Sequence, residues 1–522
     1  MQWFLSFDSG FCGLRPRMGK RFLTVAFAGV YVLFCVQNIT AKESNFGTVA
    51  TNESADVETL RLKIYPKDES KPALKTKFLL APTEQVEGNA AIFYLKAMGY
   101  FERDSARAQI AEALKKMGEQ AKAAGKELNE FPPYSYLEMR PKDYPKEEVA
   151  KYLEPSSFQE PILREAKMLR TFSMDRNIQL ADNPVGYLLP EIQNMRELAR
   201  TQRIRCRLAI AENRIDDALE IISQQFTMSH HLGKDDPLVC YIMGCAMLSM
   251  AIEDSLFLRE QPDCPNLYWA FAQLPNPVID TQRGFAFEHQ FAFIQIPRLK
   301  EINTTPRSPD YWKDFIVDFS RQTAELDQYA ELISKVQGEK RVEAIQKSID
   351  ENVPQAEQYL LERGILNADS LVRYPKEQFV LLAMKDYYEV SLDQSFKLLY
   401  FPYESVRGRF EPINKQYIED GKKYGWFTNL HGTFHPAIES ILDAKTQTQQ
   451  QVAASQVIEA IRMAGASNGG KLIDSLDQAP VPVPNDPFTG KPFSYQVDGD
   501  IATLSSQYPT AKPIRIELQF AK

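Results

Sequence analysis

The 522-residue chain carries 61 basic and 69 acidic residues, a formal net charge of −8 and a pI near 5.5. Apolar residues at 44% and charged residues at 25% are globular proportions, which exclude a wholly disordered chain, a collagen and a small disulfide scaffold. The acidic excess excludes a nucleic-acid binder that relies on a basic face, because no basic cluster stands beyond the first forty or so residues.

Lys20-Arg21 precedes residues 22–36, an uncharged run reading FLTVAFAGVYVLFCV, and the polar stretch Gln37 to Lys42 follows. Positive residues, an apolar stretch and a small Ala41 before a charged segment predict a secretory signal peptide over 1–41. As a helix the apolar run spans about 22 Å, short of the ~30 Å hydrocarbon core, which favours cleavage over permanent anchoring. An uncleaved signal anchor is the alternative, since Ile39 is larger than the residue preferred two places before a cleavage point. Met18 is an alternative start. Cys35 follows the bulky Phe34, which speaks against a lipoprotein box. The expected location is therefore periplasmic or secreted, with membrane contact only through an uncleaved leader.

Residues 42–85 are polar, with prolines at 66, 72 and 82 around an extended-looking Leu60-Arg-Leu-Lys-Ile-Tyr65. They read as a linker or an edge segment packed on the body. A helical array is expected over 86–445. It opens on Ala90, Ala91, Tyr94, Leu95 and Met98, which share one face. A further amphipathic helix at 103–124 stops at Gly125. The strongest periodicity gives helices at 195–211 and 215–232 around the turn Glu212-Asn213-Arg214, then a long apolar helix from Pro237 to about Arg259. Further helices are expected at 264–274, 278–300, 308–335, 354–363, 375–400, 403–424 and 449–466. Three short strands follow at 493–497, 501–505 and 514–520, with Asp498-Gly499-Asp500 as a hairpin turn. The change of texture places a boundary near 446, so 446–522 is expected as a small α+β unit. The fold class is mainly α: an irregular array of antiparallel helical hairpins with a three-stranded antiparallel sheet at the carboxyl end.

Beyond the leader, Cys206, Cys240, Cys245 and Cys264 permit three complete pairings. Cys240 and Cys245 lie five apart on a helix, turned about 140° from each other, a poor geometry for a mutual bond. Small buried hydrophobes are the favoured reading, ahead of one disulfide, and no CxxC pair suggests zinc.

Only five histidines are present. His431, His435, Glu439 and Asp443 follow an i, i+4, i+8, i+12 spacing that would align metal ligands on one helix, which makes His431 and His435 the candidate metal residues. Gly432 and Pro436 interrupt that helix, so a polar loop and cap is the competing reading. Glu288 and His289, among Phe285, Phe287, Phe291 and Phe293, are the candidate acid–base pair, because apolar surroundings shift the proton affinity of both. Adjacent on a helix they diverge by about 100° and would not bond each other. His230-His231 closes a helix, where a cationic imidazole would suit the carbonyl end. The aromatic clusters Tyr268-Trp269 with Phe271 and Tyr400-Phe401-Pro402-Tyr403 read as core, with exposed recognition anchors as the sharper alternative. The mixed-sign run Glu339-Lys-Arg-Val-Glu343 reads as a solvated face. No GxSxG, HExxH, Walker or dinucleotide loop occurs, and no cofactor is expected.

Three resemblances stand on these residues. Cys206, Ala209 and the turn Asn213-Arg-Ile-Asp-Asp-Ala-Leu219 with Ile222 resemble one tetratricopeptide-type hairpin over about 195–232, which implies closely packed antiparallel helices. Asn468-Gly-Gly-Lys-Leu472, Asp474-Ser-Leu-Asp477 and Pro484-Asn-Asp-Pro-Phe-Thr-Gly-Lys-Pro-Phe-Ser-Tyr495 resemble the carboxyl-terminal region of type II secretion pseudopilins; this implies a similar fold there, without filament assembly or calcium binding. Across the mature chain, Gly88-Asn-Ala-Ala-Ile-Phe-Tyr-Leu95, Cys264-Pro-Asn-Leu-Tyr-Trp-Ala270, Leu274-Pro275, Phe379-Val-Leu-Leu-Ala383, Pro402-Tyr403 and Asp486-Pro-Phe-Thr-Gly490 resemble a group of exported helical proteins typical of planctomycete bacteria. That resemblance implies location and architecture, and offers no activity to carry over.

The expected role is a non-catalytic exported cell-envelope protein acting as an interaction or scaffold module, its partner a protein or other envelope component and not nucleic acid. The alternatives are a secreted enzyme with an acidic or histidine site between helices, and a structural component tied to secretion machinery.

Overall fold

Hydrophobic periodicity in this chain is expressed almost wholly as helix, and the helices are held by one another. The computed structural model describes residues 59–522 except 101–131 (of which 116, 119 and 123 are described), 188, 325, 327–338, 507–512 and 522. The signal peptide expected over 1–41, and the helix expected at 103–124 save for those three positions, lie outside the described residues.

Strand β1 (Leu60–Ile64) comes first, then β2 (Val86–Asn89) and α1 (Ala91–Ala97). Short helices α2 (Tyr134–Glu138), α3 (Lys146–Leu153) and α4 (Gln159–Lys167) follow, with β3 (Leu169–Thr171) pairing in parallel with β2. None of α2 to α4 nor the β2/β3 pair was expected; their apolar stretches are too short to show a period.

The centre is α5 (Pro190–Ala211), α6 (Ile215–Gly233) and α7 (Leu238–Leu258). Asn213 makes the α5/α6 turn with a left-handed backbone, φ 57°, a conformation its short polar side chain tolerates. Helices α6 and α7 cross so closely that a Cβ on Gly244 would stand 2.8 Å from both the Gly233 Cα and the Ser229 carbonyl oxygen. Helix α7 is long and apolar enough to cross a membrane by length and composition, and 94% of its apolar window is buried inside the protein.

Inside that apolar helix sit Glu253 and Asp254, both buried. They meet Arg203 and Arg207, one turn apart on α5. The Arg207 Nε donates to Asp254 Oδ1 at 3.0 Å, its Nη2 lies 3.2 Å from Glu253 Oε1, and Arg203 Nη2 lies 2.8 Å from Glu253 Oε2. Arg207 also donates to the Leu137 and Met139 carbonyls at 2.6 and 2.8 Å, fixing the α2 segment to the centre. Two charges of each sign cancel, which is the condition for burying them.

The second half contains α8 (Tyr268–Ala272), α9 (Gln282–Gln295), α10 (Pro309–Thr323), α11 (Glu339–Glu362), α12 (Ala368–Leu371), α13 (Lys376–Phe396), α14 (Tyr403–Val406), α15 (Phe410–Tyr424), α16 (Asn429–Phe434) and α17 (Ile438–Ser467). Three sequence expectations need correction here. The helix expected at 354–363 begins at Glu339 and passes through Pro354. Arg341, assigned to a solvated face, is buried, its Nε donating to the Ser320 carbonyl at 3.0 Å and its Nη2 to Thr323 Oγ1 at 2.9 Å. The helix expected at 403–424 is broken at Gly408, where φ is 74°.

Strands β4 (Ser494–Asp498), β5 (Ile501–Ser505) and β6 (Arg515–Phe520) form the expected antiparallel meander, with Asp498 opposite Ile501. The order is β1-β6-β5-β4, with β1 parallel to β6 and Leu62 opposite Leu518. Residues 60–64 therefore belong to the carboxyl-terminal sheet. Position 446, the expected boundary, falls inside the unbroken α17. One core cluster contains Leu62 of β1, Ile252 of α7, Leu392 of α13, Ile458 of α17 and Leu504 of β5. At its seam, Glu459 of α17 accepts from Arg259 Nε, from Arg462 Nη1 at 2.8 Å and from the Leu267 amide at 3.0 Å. Asp486 closes the Asp486-Pro-Phe-Thr-Gly490 turn. It accepts from the Phe488 amide at 2.9 Å and from Gln450 Nε2 of α17, while Phe488 packs on Tyr403, centroids 4.8 Å apart.

Candidate functional site

Three of the five histidines converge on one stretch of α13. Ser391 and Ser395, one helical turn apart, present two hydroxyls on the same face. His431 in α16 and His435 just beyond its end repeat that spacing and meet them. Ser391 Oγ lies 2.6 Å from His431 Nδ1, and Ser395 Oγ lies 2.9 Å from His435 Nε2. Tyr417 of α15 joins the pair: its hydroxyl donates to the Ser391 carbonyl and lies 3.1 Å from Ser395 Oγ. The His431 and His435 rings meet with centroids 4.4 Å apart and planes inclined at 47°, and the Tyr417 ring centroid lies 4.1 Å from that of His431.

Burial decides the charge of this group. His431 is held well below the ordinary imidazole range by burial and by the proximity of His435. His435 is lowered to about 4 by burial, partly offset by a hydrogen bond to the Pro436 carbonyl. Both rings are therefore neutral near pH 7. The Ser395–His435 contact has the length of a nucleophile–base hydrogen bond. Ser395, however, is 1% exposed and Ser391 4%, so no substrate carbonyl can reach either hydroxyl in this packing.

As candidate metal ligands, His431 and His435 have Nδ1 and Nε2 respectively engaged by serine hydroxyls. Among the described residues, no group of three or more His, Cys, Asp or Glu is placed to hold a metal ion. The expected helix break is present on its Pro436 side, between the end of α16 at Phe434 and the start of α17 at Ile438, with His435 outside both; Gly432, expected to interrupt the helix as well, lies inside α16.

Glu288 and His289 diverge as their spacing requires. Glu288 is half-buried and its Oε1 accepts from the Leu238 amide, the first of α7, at 3.3 Å. Burial raises its carboxyl to about 7, with that amide acting in the opposite sense. Tyr388 of α13 is fully buried, its hydroxyl has no hydrogen-bond partner among the described residues, and burial followed by the charge of Glu288 raises its phenol. His289 turns to the surface, where its Nε2 lies 2.9 Å from Asp393 Oδ1 of α13.

His230 and His231 are not cationic caps. His231 Nδ1 accepts from the Tyr94 hydroxyl at 3.0 Å and Nε2 donates to the Leu169 carbonyl at 3.1 Å, tying α6 to α1 and β3. His230 Nδ1 donates to the Val278 carbonyl at 2.7 Å. Burial lowers His231 to about 3 and His230 to about 4, so neutral rings serve as connectors where a helix-end charge was expected.

Cys206, Cys240, Cys245 and Cys264 are free and buried. Tyr268 and Phe271 are core residues, and Trp269 Nε1 donates to Glu69 Oε1 at 2.6 Å. Tyr400 and Phe401 are exposed by 87% and 53%, which corrects their assignment to the core. The preceding Leu398 and Leu399 take the buried positions, and a single helical turn has no room to bury four large residues on one side.

Ser391, Ser395 and Tyr417 were not anticipated. A signal existed: two serines one turn apart in an apolar helix match two histidines at the same spacing. Comparison with protein-family models, with curated proteins and with solved structures finds no match to this chain.

Proposed function

We propose that this chain is a non-catalytic, exported protein of the cell envelope that acts through its surface as an interaction or scaffold module. The observation that supports this reading is how the candidate side chains are used. Each makes a hydrogen bond to a secondary element other than its own: Glu288 to the start of α7, and His289, His431 and His435 all to α13, the last two from α16 and its end. Groups so engaged position helices. The turned-out Tyr400 and Phe401 supply the kind of large, stiff side chain that anchors interfaces.

The test is affinity capture of the full chain from an envelope extract, with the retained components identified by mass. Reproducible enrichment of an envelope component is the expected result. A small molecule consumed by the chain, with no retained component, overturns it.

A second reading, a secreted enzyme, draws on Glu288 alone. A half-buried carboxyl that titrates near neutrality beside a buried, unpartnered phenol has the make-up of an acid–base group. Turnover found in a metabolite-depletion screen, and lost in Glu288→Gln, would put this reading first.

A further inference from the structure

We infer that Asn468-Gly469 is a site of spontaneous covalent modification, where the chain converts its own asparagine to isoaspartate and aspartate and so loosens the junction between α17 and the terminal sheet. The inference is independent of the interaction reading above.

Of all the asparagines in the chain, Asn468 alone precedes a glycine. It stands just beyond the end of α17, and Asn468, Gly469 and Gly470 are all exposed. The turn is a glycine cap with one bond made and one left out. The Gly470 amide donates to the Gly465 carbonyl at 2.9 Å and the Lys471 amide to the Asn468 carbonyl at 3.2 Å, whereas the Gly469 amide has no hydrogen-bond partner among the described residues. The Asn468 carboxamide is held only by Nδ2 contacts to the Lys471 and Leu472 carbonyls, both at 3.5 Å, the outer limit of a hydrogen bond. An unengaged main-chain nitrogen therefore adjoins a loosely held amide carbon. The Asn468 ψ of 30° places the side-chain branch away from that nitrogen, and the rotation that brings them together meets no obstacle at Gly469 or Gly470, where even a Cβ would find nothing within 4 Å. Asn213 is the contrast: it too is an exposed turn residue, but the amide that follows it, of Arg214, donates to the Ala209 carbonyl at 2.8 Å.

The chemistry needs only water. The Gly469 nitrogen gives its proton to solvent base and attacks Asn468 Cγ; the N–Cγ bond forms, the Cγ–Nδ2 bond breaks, and Nδ2 takes up a proton from solvent and leaves as ammonia. Water then opens the cyclic imide. Cleavage of its N–Cγ bond gives aspartate, and cleavage of its bond to the main-chain carbonyl gives isoaspartate, with one more methylene in the backbone. Aspartate sets an anion at the carbonyl end of α17, the end that disfavours one. Isoaspartate lengthens the turn closed by the Gly470 and Lys471 amides. That turn lies three residues past Gly465, which packs so closely on the Phe520 ring of β6 that a Cβ there would clash.

The experiment incubates the full chain in mildly alkaline buffer, then digests it with trypsin and follows the peptide 463–471 by mass spectrometry, with isoaspartate detected by enzymatic methyl-ester labelling. The unincubated chain sets the zero. Exchange of NH2 for OH in this peptide should run at least about tenfold faster than in any other asparagine-containing peptide of the folded chain, with labelling confined to it. Hydrogen–deuterium exchange over 463–473 should quicken in the converted chain. Asn468→Gln, exposed and so expected to keep its thermal midpoint, should show neither change. Conversion of the isolated peptide with none in the folded chain would mean that the cap protects the amide, and would overturn the inference. Conversion spread evenly over the asparagines would overturn it too. Conversion confined to 468 that leaves exchange over 463–473 unaltered, or equal quickening in incubated Asn468→Gln, would retain the modification and overturn the loosening.

Discussion

Two glycines show how closely single residues are specified. Gly244 sits where α6 and α7 touch backbone to backbone, so Gly244→Ala forces the helices apart and should cost on the order of 2–4 kcal/mol by urea unfolding. Gly432 in α16 has nothing within 4 Å of its would-be Cβ and no strained φ. Gly432→Ala should therefore be neutral or stabilising by up to about 1 kcal/mol. Equal losses at the two positions would contradict the close crossing. At the other seam, Arg259, Glu459 and Arg462 are fully buried with a single carboxylate between two guanidinium groups. Glu459→Gln leaves two unbalanced buried cations, and a loss of about 3–5 kcal/mol is expected from the same measurement. The sequence announced neither cluster, because Glu253-Asp254 and Glu459 are scattered within apolar helices and their partners are distant in the chain.

Among elements, α13 is the hub: α9, α11, α15 and α16 all touch it. The histidines that join it have a pH consequence whose sign follows from burial. His435 is lowered to about 4 in the fold and rises to about 6.5 on unfolding. Folding therefore excludes a proton across that window, and stability present above pH 6.5 is lost as the pH falls towards 4, at about 1.4 kcal/mol per pH unit. His431, His230 and His231 act in the same sense. Glu288, raised to about 7, acts in the opposite sense and offsets one of them between pH 7 and its ordinary 4.5. Replacing His435 by Gln keeps a polar group near Ser395 and removes the titration. The variant's unfolding free energy should fall less steeply between pH 6 and 4.5, and an unchanged slope would show that His435 is not enclosed. Helix periods and the terminal hairpin were legible because apolar repetition is local. The Ser–His rungs depend on which helix faces which, information the chain carries only in the match between two distant i, i+4 pairs.

At the scale of the whole molecule, the expected division near 446 meets a different arrangement. Helix α17 spans it without a break, β1 and β6 pair from opposite ends of the described chain, and one apolar cluster runs through body and sheet. The sequence texture does change there, but texture reports the kind of element and says nothing of what packs beneath it. A single calorimetric unfolding transition should result, and two well-separated transitions would restore the boundary. Truncation at 446 should likewise leave the body aggregated or unfolded, since Val457, Ile458 and Ile461 of α17 belong to the shared core.

On the proposed reading this protein acts by what its surface touches, with its interior polar groups joining helices. Hydrogen–deuterium exchange of the full chain, with and without envelope extract, distinguishes a surface role from an interior site directly. Slowed exchange confined to 397–409, with 388–396 and 429–435 unchanged, is the predicted result. Changes centred on 388–396 with none at 397–409 would place the working site in the interior and contradict it.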